Sequence, residues 1–211
     1  MSRAKSGNAR APEIVAVLGG TGSGKTTEII RTLHMRRRNR SLIWSPKEAE
    51  DDYAALYGGQ VVRTAAACVD ALARAGRGPV HLVFVPTLNR AADEKMFSVV
   101  CRAALAARDL VVVVDELHTV TRPALAPDGW AKLVMMGRAA GCSVIGGSQR
   151  PASIDKNFLG NCSRIHVRRL GYPEDAKTCA KALGVRPEEV QALAGFKWIE
   201  RDNLKGIVKR G

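Results

Sequence analysis

Gly19-Gly20-Thr21-Gly22-Ser23-Gly24-Lys25-Thr26 fits the phosphate-binding pattern G-x-x-x-x-G-K-[ST] at every fixed position. The apolar run Ile14-Val15-Ala16-Val17-Leu18 precedes it, and a helix-compatible stretch from Lys25 to Met35 follows. Strand, glycine loop and helix in that order give the pattern a physical meaning. The glycines let successive backbone N–H groups turn toward one anion. The helix N-terminus adds partial positive charge. The nucleotide-binding set read here is Gly19, Gly20, Thr21, Gly22, Ser23, Gly24, Lys25, Thr26 and Thr27. Lys25 can reach the β- and γ-phosphates, and the Thr26 hydroxyl can ligate Mg²⁺.

A triphosphate site of this kind needs an acid for the metal. Leu110-Val111-Val112-Val113-Val114-Asp115-Glu116 supplies one, as an apolar strand ending in two carboxylates. Open α/β sheets bind ligands at the C-terminal ends of their strands. Asp115 is expected on the Mg²⁺ side, directly or through water. Glu116 is expected to be the general base that polarises the attacking water. This pair favours hydrolysis over a small-molecule kinase, which must exclude water. Ser148-Gln149-Arg150-Pro151 follows the apolar run Cys142–Gly147, so Gln149 can sense a γ-phosphate from a strand tip.

Three further residues stay open. Arg138 falls about 80° from Trp130 on a helical wheel, at the edge of the apolar face. It can project toward a neighbouring chain, or be a plain surface arginine. Arg150 is its rival as an arginine supplied in trans. His118 reads as a loop histidine or as a polar group near the γ-phosphate.

Working outward, strand-like runs at 14–18, 41–44, 60–63, 79–85, 110–114, 142–147 and 164–167 alternate with helix-like segments. Helices are predicted at 25–35, 47–57, up to Ala75, 91–107, 127–140, 173–183 and 187–194. Trp130, Leu133, Val134 and Gly137 share one face of the 127–140 segment. Residues 196–200 and 207–209 read as a hairpin around Asp202-Asn203. Continuous apolar strands separated by helices imply a mostly parallel sheet covered on both faces. The fold class is α/β, of the P-loop NTPase kind (RecA/ASCE-like), with a small C-terminal hairpin. Residues 1–12 read as a flexible basic tail and 13–211 as a single domain.

Composition sets further bounds. The 211 residues are 46% apolar, enough for one globular domain. No apolar run approaches the roughly 20 residues of a membrane span, and the N-terminus lacks the apolar segment of a secretory signal. The five cysteines, 68, 101, 142, 162 and 179, show no C-x-x-C spacing, which argues against disulfides and zinc and for a reducing cytoplasm. A net charge of +13 points to a polyanion such as nucleic acid, or to solvated surface arginine. The run Met35-Arg36-Arg37-Arg38-Asn39-Arg40 reads either as a phosphate-backbone contact or as cations favoured at a helix C-terminus. Arg168-Arg169 and Lys205, Lys209 and Arg210 pose the same question. No aromatic stripe interleaves these positions, so any DNA contact should follow the backbone and tolerate sequence.

The loop, the stretch Val111–His118, and Gly137–Pro151 together resemble the FtsK/HerA superfamily of DNA-pumping ATPases. The compact size resembles the genome-packaging ATPases of membrane-containing double-jelly-roll phages and poxviruses. The resemblance covers about residues 13–170. It implies ATP and Mg²⁺ as cofactors and a homo-oligomeric ring, with a hexamer favoured. Double-stranded DNA would be threaded through a basic pore, and capsid vertex proteins are implied as partners. Carried over, Lys25 and Thr26 match the phosphate loop, Asp115 and Glu116 the acids, Gln149 the sensor, and Arg138 the region of a trans arginine. The implied location is the host cytoplasm, or the virion itself. The alternatives are an assembly or secretion factor similar to the zonula-occludens-toxin-like proteins, which usually carry a membrane span, and a P-loop small-molecule kinase.

Overall fold

Seven parallel strands and an antiparallel pair build one sheet in the order β3-β4-β2-β5-β6-β1-β7-β8-β9, in a computed structural model that describes residues 11–36 and 39–211. The strands are β1 (Ile14–Leu18), β2 (Arg40–Trp44), β3 (Gln60–Val62), β4 (Val80–Phe84) and β5 (Val111–Val114). They continue as β6 (Ser143–Ser148), β7 (Arg164–Arg168), β8 (Trp198–Asp202) and β9 (Ile207–Arg210). The strand bearing the acids, β5, is separated from β1 by β6. The tail expected at 1–12 lies, up to residue 10, outside the described residues, as do Arg37 and Arg38.

Alternate side chains of the central strands feed two cores, as the period of two requires. On one face Val15, Val17, Ile43, Val83, Val111, Val113 and Ile145 meet Ile29 and Leu33 of α1 (Lys25–Met35) and Tyr53 of α3 (Tyr53–Tyr57). The other face is larger. There Ala16, Leu42, Trp44, Phe84, Val112 and Val114 are covered by α4 (Ala65–Ala75), α5 (Arg90–Ala107) and α6 (Asp128–Met136). The helices α7 (Lys156–Asn161), α8 (Pro173–Leu183) and α9 (Pro187–Gln191) complete that layer. Trp44 stacks on Phe84 with ring centroids 4.7 Å apart, and Phe97, Trp130 and Phe158 extend the aromatic row. All five cysteines are buried. Among the described residues, no helix is long and apolar enough to cross a membrane.

Three local differences from the sequence reading have physical causes. The single helix expected at 47–57 is two, α2 (Glu48–Asp51) and α3, because Asp52 sits in the left-handed region at φ 48° and turns the axis. The helix expected to reach Ala140 ends at Met136, and residues 137–141 form turns closed by Gly141 at φ 78°. Arg138 therefore lies beyond the helix, so its position on a helical wheel does not describe it. Helix α7 was not foreseen. Asp155 caps it by accepting from the N–H groups of Asn157 and Phe158.

The charge run splits in the same way. Arg36 is buried and pairs with Glu13, while also donating to the Ala11 carbonyl. Arg40 is buried and donates to the carbonyls of Gly78 and Ala107. Both arginines hold the fold together and are withheld from any polyanion.

Candidate nucleotide site

The register of the central strands assembles the site. Val114 pairs with Gly146, and Leu18 pairs with Ser148. Asp115 and Glu116 thus leave β5 level with the end of β6, and the phosphate loop leaves β1 beside them. Gly147 makes the approach feasible, since a Cβ there would lie 2.7 Å from both Asp115 Oδ1 and Ile29 Cδ1. Within the loop, Gly22 and Gly24 take φ values of 69° and 86°, which side-chain-bearing residues avoid. Gly24 is the N-cap of α1.

Asp115 is fully buried, and a carboxylate there needs partners. Its Oδ1 accepts from Lys25 Nζ at 2.5 Å and from the Glu116 N–H at 2.8 Å, and its Oδ2 accepts from the Tyr53 hydroxyl at 2.8 Å. Burial alone would lower the Lys25 pKa, but the Asp115 and Glu116 carboxylates outweigh it and hold it above its ordinary value. Burial, reinforced by Asp115, pushes the Tyr53 hydroxyl far up, so Tyr53 acts only as a neutral donor. The Thr26 hydroxyl donates to Asp51 Oδ1 at 3.1 Å. Burial and the Asp115 charge raise the Asp51 carboxyl.

Glu116 occupies the left-handed region at φ 49°, a conformation that costs on the order of 1 kcal/mol outside glycine and clusters at functional positions. Lys47 Nζ lies 3.2 Å from its Oε1, and Lys25 Nζ lies 3.7 Å away. Its Oε2 is buried and receives no hydrogen bond, with His118 Nδ1 3.4 Å off. His118 also meets Ser148 Oγ at 3.2 Å. Burial lowers the His118 pKa, which favours the neutral ring. Gln149 Oε1 accepts from the Thr21 hydroxyl at 2.9 Å, which ties the end of β6 to the loop.

The two candidate arginines part company. Arg150 is held within its own chain, with Nε 3.1 Å from the buried Asp175 and its guanidinium 4.2 Å over the Tyr172 ring. Arg138 is exposed at the opposite end of β6 from Gln149, about 20 Å away for a six-residue strand. It is out of reach of its own phosphate loop.

Three contributors escaped the sequence reading, Lys47, Asp51 and Tyr53, and a fourth, Arg168, was read there without its role at the loop. Arg168 donates to the Ser23 carbonyl at 3.3 Å, and Arg169 donates to the Thr21 carbonyl at 3.4 Å. This arginine pair, for which the sequence left open a DNA contact or solvated surface charge, braces the loop from the end of β7. Glu28, on α1 just after the loop, meets Arg31 at 2.7 Å and lies 3.7 Å from Arg168.

A cleft of about 340 Å³ opens over these groups, lined by the loop with Lys47, Asp51, Glu116, Gln149 and Phe196. A larger groove of about 780 Å³ runs between α7, α8 and β8, but it carries no carboxylate and none of the loop residues. Chemistry, not size, selects the smaller cleft. A strand, a glycine loop and a helix N-terminus, with strand-end acids two strands away, decide the fold. It is that of a P-loop NTPase. No protein-family profile matches the chain, and no curated protein matches it.

Solved structures do resemble it. The genome packaging NTPase B204 from Sulfolobus turreted icosahedral virus 2, in complex with AMPPCP, is 16% identical with a TM-score of 0.71 over 94% of this chain and 96% of that one. The DNA-packaging ATPase B204 from Sulfolobus turreted icosahedral virus is 18% identical, with a TM-score of 0.70 over 95% and 98%. VirB4 of Thermoanaerobacter pseudethanolicus is 11% identical, with a TM-score of 0.66 over 98% and 90%. The P-loop NTPase fold thus spans nearly the full length of both partners.

Proposed function

We propose that this chain is an ATP-hydrolysing DNA translocase, with packaging of viral double-stranded DNA as its task. One observation carries the hydrolytic reading: Glu116 stands beside the phosphate loop with one carboxylate oxygen engaged by lysine and the other, Oε2, without a hydrogen bond. That oxygen is an acceptor for the proton of an attacking water. Gln149, tied to Thr21, orients the same water or a γ-phosphate oxygen. Lys25 moves from Asp115 to the β- and γ-phosphates as the nucleotide enters, and Lys47 adds a second cation at that end. Oxygen donors suit Mg²⁺. The Thr26 hydroxyl would hold the ion, with Asp115 and Asp51 accepting from its waters. Once bound, the ion neutralises phosphate charge. The likeness to B204 supports ATP as the nucleotide and packaging as the use.

In a ring, Arg138 reaches the site of the neighbouring subunit. Its flanking Met135 and Met136 are 76% and 56% exposed, an apolar surface suited to that contact. A hexamer is the proposed ring, with double-stranded DNA in its pore and capsid vertex proteins as its anchor. Arg138→Ala should lower turnover of assembled rings by about 10³-fold, within the range of a trans arginine. Mixing this variant with Glu116→Gln and measuring phosphate release checks the assignment. Each variant should be nearly inactive alone, and mixed rings should regain turnover wherever an intact Glu116 site meets a neighbour's intact Arg138; no recovery would remove Arg138 from its role.

The test of the whole reading is phosphate release with and without duplex DNA at low salt. Turnover should rise with DNA and fall back as salt is added, since backbone contacts release counterions. An oligomeric protein whose turnover ignores DNA would sink the translocase reading. Hydrolysis without DNA movement would favour an assembly factor, and a phosphorylated acceptor would favour a kinase.

A further inference from the structure

Phe196 is 72% exposed, whereas its apolar neighbours Leu193 and Ile199 are buried. It belongs to no core. It sits in a tight turn, closed by the Lys197 N–H donating to the Ala194 carbonyl at 3.1 Å, with Gly195 at φ 56°. The turn is fixed against the phosphate loop. One Arg168 nitrogen donates both to the Phe196 carbonyl at 3.1 Å and to the Ser23 carbonyl at 3.3 Å. The ring reaches Gly24 so closely that a Cβ there would lie 3.3 Å from Phe196 Cδ1. Phe196 is the aromatic ring in the lining of the cleft.

The strand order says which end of a nucleotide this ring meets. Glu116 and Gln149 follow β5 and β6, on one side of β1. Phe196 precedes β8, on the other side of β1 beyond β7. Phosphates held in the loop with the γ-phosphate toward the acids direct the nucleoside to the opposite side. A flat apolar ring there, held by its backbone and largely exposed, matches a nucleobase.

We propose that Phe196 is the base-stacking residue of this site, and that the turn before the C-terminal hairpin is its nucleoside-binding element. A purine, with the larger π-face, is the preferred occupant. The inference rests on reading the loop as a nucleotide site. It adds a determinant that the phosphate-binding residues cannot supply, since they contact nothing that differs between nucleotides.

The experiment compares ATP with inorganic tripolyphosphate, each with Mg²⁺, by calorimetric titration of the full chain. Phe196→Ala should weaken ATP binding by about tenfold, within the range of base–aromatic stacking. Tripolyphosphate affinity should not change. Phe196→Trp should keep ATP affinity and show fluorescence quenching as ATP binds. Unchanged ATP affinity in Phe196→Ala overturns the proposal. So does an equal loss for both ligands, which would mean that the residue shapes the loop instead. A wild-type chain that binds neither ligand overturns the nucleotide-site reading and this inference with it, a result distinct from the other two.

Discussion

Replacing Glu116 with glutamine is expected to lower ATP turnover by about 10²–10⁴-fold, the usual worth of a positioned general base. ATP affinity should stay close to that of the wild-type chain, because the change removes proton acceptance and little else. Glutamine has the same shape as glutamate and can still meet Lys47 through its amide oxygen. Lys25 keeps Asp115 at 2.5 Å, so no buried ammonium is stranded. Lys47 is 38% exposed along its side chain, and water compensates for its weaker partner. The thermal unfolding midpoint should therefore barely move. Single-turnover phosphate release, read beside nucleotide affinity, separates the two effects. Normal turnover in this variant would falsify the assignment of Glu116 as the base, and lost affinity would make it a binding residue.

Lys25→Ala is expected to do the reverse and more. It removes the cation meant for the β- and γ-phosphates, so ATP affinity should collapse. It also strands Asp115, which has no exposure to solvent. Removing one partner of a buried ion pair typically costs about 3–5 kcal/mol, because the other charge is left uncompensated. For a chain of this size that lowers the unfolding midpoint by roughly 10 °C. The Tyr53 hydroxyl and the Glu116 N–H still bind the Asp115 carboxylate, which favours the lower end of the cost. Pairing Lys25→Ala with Asp115→Asn should recover most of the lost stability and none of the ATP affinity. The sign with pH follows from the raised Lys25 pKa. The ammonium's contribution is full below its unfolded value of about 10.4 and fades only as pH rises through the higher folded value. The stability deficit of Lys25→Ala should therefore be constant across the neutral range and shrink only in strong alkali. A variant as stable as the wild-type chain would mean that the buried Lys25–Asp115 pair adds no net stability.

The parts of this site legible in the sequence are those whose meaning is local. The loop and α1 are contiguous, and α1 begins and ends where the pattern placed it, at Lys25 and Met35. Asp115-Glu116 and Gln149 each follow an apolar run, so their position at a strand tip needs only the rule that such runs become buried strands. The rest depends on strand order. Tyr53 touches Asp115 across a sequence separation of 62, and nothing in its own neighbourhood marks it. Lys47 reads as one more cation near a helix start until the end of β2 is placed beside β5. Arg168 bonds to Ser23 across 145 residues, because β7 happens to flank β1. Its cationic neighbour Arg169 made the pair look like surface charge. Even the break at Asp52, which frees Tyr53 to turn inward, depends on one residue adopting a conformation its type only tolerates.

The rims of the sheet carry a consequence for how copies of this chain can meet. One rim is β3, only three residues long. The other is β9, which ends in Lys209 and Arg210 beyond two apolar positions. Short or cationic rims resist strand-by-strand addition of another chain. Sheets of separate copies are thereby discouraged from fusing into one continuous ribbon, the route toward fibres. Association is left to helix and loop surfaces, where a contact can be made and released without unzipping backbone ladders. In the ring proposed above, that reversibility would let neighbouring subunits shift against one another without breaking backbone ladders.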